Sequence, residues 1–272
     1  MSIKSILSAY SGDASKGSGL RHALRLAKHH DAWLTGVLRH RQSNLERTLR
    51  GSVPKTLLKT FFEAEETRLK EIAERFRTIT TEAGFGDRSD FVDLDVDKDR
   101  SLSEFARTFD LVVTGVHSHS ENEAHMSANP DLIALRSGRP VLVVPDAYEA
   151  EGLTDHALVA WDGKRSSARA LGDAMVGLED KAKVTLLTVG SEKAPGTEYL
   201  LRNLERHGID ATLVLKPRKG SIAETILSTA QDVSAELIVM GAFEHSKFSH
   251  DVFGGVTTDV IQKTDVPIFM SH

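Results

Sequence analysis

Short apolar runs alternate along this chain with segments whose apolar residues recur at helical spacing. In the second half the apolar runs predict strands at 156–161, 184–189, 211–215, 236–241 and 266–270, with helices between them. Fully apolar strands that alternate with helices are typical of a parallel sheet covered on both faces. The pattern therefore predicts a doubly wound α/β fold.

The same order of apolar runs occurs twice. Five segments of the first half match five of the second, pairing 6–12 with 157–163, 33–38 with 184–189, 101–104 with 221–224, 110–115 with 236–241, and 139–143 with 266–270. Repeats of this kind indicate duplication of one supersecondary unit. We predict two tandem domains at 1–148 and 152–272, each with a five-stranded parallel sheet, joined by a short polar tether.

The first copy has a surplus of residues between its second and third apolar runs. That surplus follows Pro54 and carries an apolar stripe that predicts a long helix near 54–83, formed by Leu58, Phe61, Phe62, Leu69, Ile72, Phe76 and Ile79. A helix of this length outreaches a small domain. We expect it to pack across the other domain or a second chain.

Composition excludes several functional classes. The formal charge is −5 and no run of Lys or Arg occurs, so a nucleic-acid partner is not expected. The chain has no cysteine, which excludes disulfides, thiolate catalysis and cysteine-ligated metal sites. No apolar run reaches the roughly 18 residues of a membrane span, and the N-terminus lacks the apolar core of a signal peptide. We therefore expect a soluble cytoplasmic protein with no membrane partner.

Candidate chemistry lies where the strands of the second copy end. In open parallel sheets, ligands bind beyond the carboxyl ends of the strands. Those ends carry Asp162, Val189 and Gly241, and Gly254-Gly255-Val256-Thr257 opens the helix that precedes the last strand. A glycine pair at a helix start lets backbone N–H groups approach an anion closely. On spacing alone, a phosphate site and a simple tight loop both fit.

Residues 241–257 follow a specific spacing. Gly241 is followed by two residues and Glu244, and nine residues later come Gly254 and Gly255. With Asp162-Gly163 and the final Val-Pro-Ile strand, this resembles the phosphate loop of the universal stress protein family in its tandem form. The resemblance implies flavodoxin-like domains with strand order 3-2-1-4-5, packed as an internal pseudo-dimer, and a possible homodimer. It also implies a stress-response or regulatory protein.

The ligand that the resemblance implies is ATP, with magnesium. It places Asp162 and Val189 near the adenine and ribose, and it places Gly241, Gly254, Gly255, Val256 and Thr257 on the phosphates. The pattern departs from the family at two positions, since Glu244 replaces a glycine and Gly255 replaces a Ser or Thr. A carboxylate near phosphates opposes their binding.

The first copy lacks the corresponding residues. Ser11 stands where Asp162 does, and the helix entry Asn129-Pro130 has no glycine pair. Because Pro130 has no N–H, we expect this half to have lost a nucleotide site. It then serves as a scaffold, as a dimerising half, or as a site for another ligand.

Other polar groups favour simpler interpretations. His117, His119 and His125 are taken as solvated loop residues, so no metal site is predicted. Trp33 and Trp161 are taken as core residues. No catalytic residues are predicted, because no Walker lysine or evident base is present. The main alternative is a domain pair that binds protein partners or another small ligand in place of nucleotide, and a slow ATPase is a third.

Overall fold

The computed structural model describes residues 2–12, 18–40, 55–95, 100–116, 128–149, 152, 155–180, 183–242 and 255–272. Strands and helices alternate throughout these ranges. The first half contains β1 (Ser5–Ala9), α1 (Ser18–His30), β2 (Trp33–His40), α2 (Lys55–Glu82), β3 (Ser89–Asp95), α3 (Leu102–Ala106), β4 (Leu111–Gly115), α4 (Pro130–Ser137) and β5 (Val141–Val144).

The second half repeats this order with a much shorter helix after its second strand. It contains β6 (His156–Ala160), α5 (Arg165–Leu178), β7 (Lys183–Val189), α6 (Thr197–Arg206), β8 (Ala211–Lys216), α7 (Ile222–Asp232), β9 (Leu237–Gly241), α8 (Val256–Lys263) and β10 (Ile268–Ser271).

All ten strands belong to one sheet, in the order β3-β2-β1-β4-β5-β10-β9-β6-β7-β8. Within each half the strands are parallel and follow the order 3-2-1-4-5, so the α/β prediction is confirmed. The sequence reading did not foresee that the two sheets join. They do so where β5 and β10 pair antiparallel, with Val143 opposite Ile268 and Val141 opposite Met270.

The strand pairing corrects one part of the repeat. Ala9 pairs with Val37 in the first half, and the equivalent Ala160 pairs with Leu187 in the second. Residues 9 and 160 of the first strands are 151 positions apart in the sequence, whereas residues 37 and 187 of the second strands are 150 apart. Matching 33–38 to 184–189 was wrong by one position, and Val189 corresponds to Arg39.

The long helix α2 packs on its own half. Its C-terminal part buries Leu69, Ile72 and Phe76 against the first-half sheet, where the Phe76 ring packs beside Tyr10 and Phe91 at centroid distances of 6.0 and 5.1 Å. A Cβ at Gly36 would lie 2.4 Å from that ring, so glycine is needed beneath it. The expectation that α2 crosses the other domain is wrong for this buried part.

The core forms two layers, one on each face of the sheet, and both layers run through both halves. One layer contains α1, α2 and α5 together with β5 and β10 side chains, and the other contains α3, α4, α7 and α8. The halves therefore share a continuous core across the β5–β10 junction. In the part of the chain that the structure describes, no helix is long and apolar enough to cross a membrane.

Candidate functional site

Three of the predicted site residues lie side by side at one edge of the second-half sheet. Ala160 pairs with Leu187, so Asp162 and Val189, each two residues further along, are level with each other. The N–H of Trp161 donates to the Leu187 carbonyl at 2.8 Å, which extends this register beyond the strand. On the other side of β6 lies β9, which ends at Gly241. The strand order reverses at β6, where open α/β sheets bind ligands.

The Asp162 carboxylate is held by the start of helix α5. Its Oδ1 accepts hydrogen bonds from the Ser167 hydroxyl at 2.6 Å and from the Lys164 backbone N–H at 3.0 Å. Oδ2 lies 3.8 Å from the Lys164 Nζ, and both side chains are about half exposed. The carboxylate thus accepts hydrogen bonds from the N-cap residue Lys164 and from a hydroxyl in the first turn of α5. The ammonium group of Lys164 therefore lies beside Oδ2.

A second loop closes over the same edge. Gly163 has a φ of +76°, and a Cβ there would lie 2.9 Å from the Pro195 carbonyl oxygen. The loop after β7 therefore touches the loop after β6 directly. Ala194 is buried in the core, and its carbonyl accepts the Thr197 hydroxyl at 2.7 Å, which fixes this loop at the start of α6. Glycine at position 163 serves both the left-handed backbone and the close approach.

Gly241 has a packing role that the sequence did not indicate. A Cβ on Gly241 would lie 2.5 Å from the carbonyl carbon of Ser166 and from the backbone nitrogen of Ser167. Helix α5 therefore rests on the end of β9 at a distance that only glycine allows. This contact keeps the helix that holds Asp162 against the sheet.

The start of helix α8 has no side-chain cap. Gly255 is the N-cap residue, its backbone is extended, and no atom of the described residues lies within 4 Å of where its Cβ would be. Val256 is half-buried and Thr257 is buried, so neither side chain stands free at the helix start. Asp259 in the first turn is the nearest acidic residue of this helix. Backbone N–H groups at a helix start attract anions.

The matching helix start in the first half is closed. The Asn129 side chain accepts a hydrogen bond from the Leu132 N–H at 3.2 Å, and Pro130 occupies the first helical position. Arg39 stands where Val189 does, and Ser11 stands where Asp162 does. The two halves therefore share a fold but present different chemistry at this edge.

Sequence reasoning missed two partners of Asp162 and misplaced one tryptophan. Neither Lys164 nor Ser167 was predicted as a site residue, although both follow Asp162 closely in the sequence. Trp33 was taken as core but is 53% exposed, whereas Trp161 is 9% exposed and its Nε1 has no hydrogen-bond partner among the described atoms. The remaining predicted positions, Gly254, Glu244 and the loop histidines, lie outside the described residues.

Comparison with known proteins agrees with this fold. The model of the universal stress protein family matches residues 192–272. A universal stress protein of Synechocystis sp. is 26% identical over 176 residues, which cover 61% of this chain and 59% of the relative. The match therefore spans less than two thirds of that relative's length.

Solved structures share the fold across both halves. A universal stress protein from Archaeoglobus fulgidus DSM 4304 superposes with a TM-score of 0.71 at 16% identity, covering 98% of this chain and 95% of that chain. A Pseudomonas aeruginosa UCBPP-PA14 protein provisionally assigned to the same family gives a TM-score of 0.58 at 14% identity, covering 99% and 93%. By the family model and the curated relative, the chain is therefore similar to universal stress proteins, and the solved structures share its fold.

Proposed function

We propose that the chain is a two-domain stress-response regulator whose second domain, residues 152–272, binds an adenine nucleotide at the edge formed by Asp162, Val189, Gly241 and the start of α8. The observation that carries this proposal is the difference between the two halves. Among the residues that the structure describes, no side chain caps α8 at Gly255, whereas Asn129 caps the counterpart helix. Binding would change the state of the protein as a ligand switch does.

The geometry suits a ligand with a polar base or sugar at one end and phosphates at the other. The half-exposed carboxylate of Asp162 can accept a hydrogen bond from a ribose hydroxyl or a base amine. Phosphates would meet the backbone N–H groups at Gly255 and Val256, where the helix dipole adds a favourable field. ATP with magnesium is the ligand that the family resemblance implies, and the cation would offset the charge of Asp259 nearby.

A second candidate function has its own support. Three features at this edge also have a role without ligand: Asp162 binds donors at the start of α5, Gly163 meets Pro195, and Gly241 seats the helix. A chain that kept these residues only for packing would act through protein partners or another small ligand. Titration with nucleotide distinguishes the two functions.

The two tryptophans allow a direct titration. Trp161 precedes Asp162, and exposed Trp33 can be replaced by Phe so that fluorescence reports on the edge alone. We expect ATP and AMP, each with and without magnesium, to change this fluorescence and to give a calorimetric signal. Asp162→Ala should abolish both signals, and Ser11→Ala at the equivalent first-half position is the matched control. If neither nucleotide binds at millimolar concentration, the second function replaces the first.

Glu244 provides a further test from the sequence. If its carboxylate opposes the phosphates, Glu244→Gly should tighten ATP more than AMP, because ATP carries the longer chain of charges. Raised salt should reduce this difference when the charges are exposed to solvent. Equal affinities for both nucleotides before and after the change would show that Glu244 does not face the phosphates.

A further inference from the structure

The two outer edges of the ten-stranded sheet differ in composition. Within the described residues, β3 at one edge pairs only with β2, and β8 at the other edge pairs only with β7. An edge strand presents unpaired backbone N–H and C=O groups, to which a further strand can add. Charged side chains along an edge strand oppose such addition. The residues of β3 and β8 therefore indicate whether each edge is protected.

The β3 edge carries charge along its length and the β8 edge does not. β3 contains Asp90 and Asp93, whereas β8 has no charged residue before its last, Lys216. When the β7–β8 register is superposed on the β2–β3 register, Thr212 and Leu215 take the positions of these two carboxylates. Thr212 is exposed and Leu215 is 36% exposed. The second half therefore presents an uncharged and partly apolar strand where the first half presents a charged one.

The backbone of β8 directs alternate residues to its free side. The carbonyl of Lys216 accepts the N–H of Gly190 at 2.7 Å, so the backbone groups of Lys216 face β7. Backbone N–H and C=O groups of successive residues in a strand point to opposite sides. The outward N–H and C=O groups of β8 therefore belong to Ala211, Leu213 and Leu215.

The segment from Asp210 to Lys216 is complementary to its own reversed copy. An antiparallel pair centred on Leu213 places Asp210 opposite Lys216 of the partner subunit, at both ends of the pair. Between these ends, every pair joins uncharged residues. Opposite charges directly across an antiparallel pair stabilise it. A second copy of this strand therefore matches β8 in charge and in apolar content.

The orientation of the strand agrees with this register. Because Leu213 presents its N–H and C=O outward, it forms a hydrogen-bonded pair with its own copy. Asp210 and Lys216 then form non-hydrogen-bonded pairs, in which the side chains are closer, and their even spacing places both side chains on one face. The Lys216 ammonium lies 3.1 Å from Asp232 of α7, and both side chains are partly exposed. The ammonium is therefore accessible to a second carboxylate.

We propose that β8 pairs antiparallel with β8 of a second copy of this chain, about a two-fold axis at Leu213, so that two ten-stranded sheets become one. This axis stands perpendicular to the sheet, like the pseudo-two-fold axis that places Leu142 opposite Phe269 at the β5–β10 junction. Such an axis keeps each layer of helices on its own face of the sheet. The contact between subunits therefore repeats a kind of junction that the chain already makes, and it buries the same patch on both copies.

The expected dimer is weak, because one strand pair gives a contact at the small end of protein interfaces, below about 1,200 Å² in total. We expect monomers at low micromolar concentration and dimers at high micromolar concentration, which sedimentation equilibrium of the full chain measures. Thr212→Asp combined with Leu215→Asp transfers the charges of β3 to β8 and should raise the dissociation constant about tenfold or more. Thr212→Val is the matched control, since it adds no charge and keeps a strand-forming residue, and it should not weaken the dimer.

Exchange of the charges tests the register. Asp210→Lys places ammonium groups opposite each other in the dimer, and Lys216→Glu places carboxylates opposite each other. Each variant alone should therefore associate more weakly than wild type. An equimolar mixture of the two variants should associate as a heterodimer, because one copy then supplies only ammonium groups and the other only carboxylates. Raised salt should reduce this recovery.

Disulfide formation locates the contact. The chain has no cysteine, so Thr212→Cys and Val214→Cys each introduce a single thiol. The proposed register places these two positions in a non-hydrogen-bonded pair, where the Cα atoms are about 4.5 Å apart, within the range of disulfides. Under mild oxidation an equimolar mixture of the two chains should form the mixed disulfide in preference to either homodisulfide.

Four results would overturn the proposal. The first is a wild-type chain that stays monomeric at high micromolar concentration. The second is unchanged association of the Thr212→Asp and Leu215→Asp chain when it unfolds in urea as wild type does; if this chain does not fold, the disulfide yields decide. The third is a mixed disulfide no more abundant than the homodisulfides. The fourth is assembly that grows without limit, which would indicate that β8 adds to β3 of the next copy.

Discussion

The contact between Gly241 and helix α5 makes a quantitative prediction. In Gly241→Ala the new methyl group would stand 2.5 Å from the backbone of both Ser166 and Ser167, where ordinary contacts begin near 3.4 Å. The obstacle is backbone, so no side-chain rotation relieves it. Helix α5 must move away from β9 by about 1 Å to restore ordinary contact.

That movement disturbs a large part of the core. Helix α5 contributes Ala170, Leu171, Ala174 and Leu178 to the layer that it shares with β6 and β9. Overpacking of a well-packed core costs about 1–3 kcal/mol, and we expect about 3 kcal/mol because the clash is with backbone. For a chain of this size each kcal/mol lowers the melting temperature by about 2–4 °C. The expected decrease is therefore about 6–12 °C.

Urea unfolding followed by circular dichroism measures the change in free energy. Gly172→Ala is a matched control in the same helix, where nothing lies within 4 Å of the new methyl group. It should stabilise the chain by about 0.5–1 kcal/mol, because alanine is the better helix former. The reasoning is refuted if Gly241→Ala unfolds within about 0.5 kcal/mol of wild type, since such a result would mean that α5 does not rest on β9 as described.

Three further changes test other parts of the fold. Gly36→Ala should cost about 2–3 kcal/mol in urea unfolding, because its methyl would lie 2.4 Å from the Phe76 ring, and Phe76→Leu in the same chain should recover part of the loss. Burial raises the pKa of Asp110, but hydrogen bonds from the backbone at the start of β1 lower it further, so the pKa lies below its usual value. A carboxyl group with a depressed pKa stabilises the fold above the unfolded pKa of about 3.9, and this stabilisation is lost as the pH falls through the folded pKa. Asp110→Asn should therefore destabilise the chain at pH 7 but much less under acid conditions. Urea midpoints measured at both pH values would show the difference. Asn129→Ala should cost about 1 kcal/mol by removing the α4 cap, and calorimetry should detect no gain of nucleotide binding.

Much of the fold follows from the sequence because its strands are apolar and its units repeat. A buried parallel strand is an apolar run whichever strands it pairs with. The apolar runs therefore indicated where the strands are but not the register in which they pair. The one-residue error at β2 arose in this way: 33–38 and 184–189 match as apolar runs, whereas the hydrogen bonds of Tyr10 and Trp161 set a different alignment.

The β5–β10 junction had a signal that could have been used. Val141–Val144 and Ile268–Ser271 are buried at every position, and neither contains a charged residue. An unpaired edge strand of this composition would invite aggregation, which proteins avoid with charges, prolines or a covering element. Two uncharged strands at the ends of two repeated sheets therefore indicate that they pair with each other. Covering one edge with the other also explains why the two core layers continue across the junction.

The binding properties of the strand ends could be predicted from the sequence only where a single residue determines them. Asn129-Pro130 against Gly255-Val256 is visible in the sequence, because a capping side chain and a missing N–H determine whether a helix start is open. The state of Asp162 was not visible, because it depends on Ser167 reaching back across a helical turn to within 2.6 Å. Duplication thus preserved the fold in both halves through packing, and the two edges diverged because only a few side chains at the strand ends determine what each can bind.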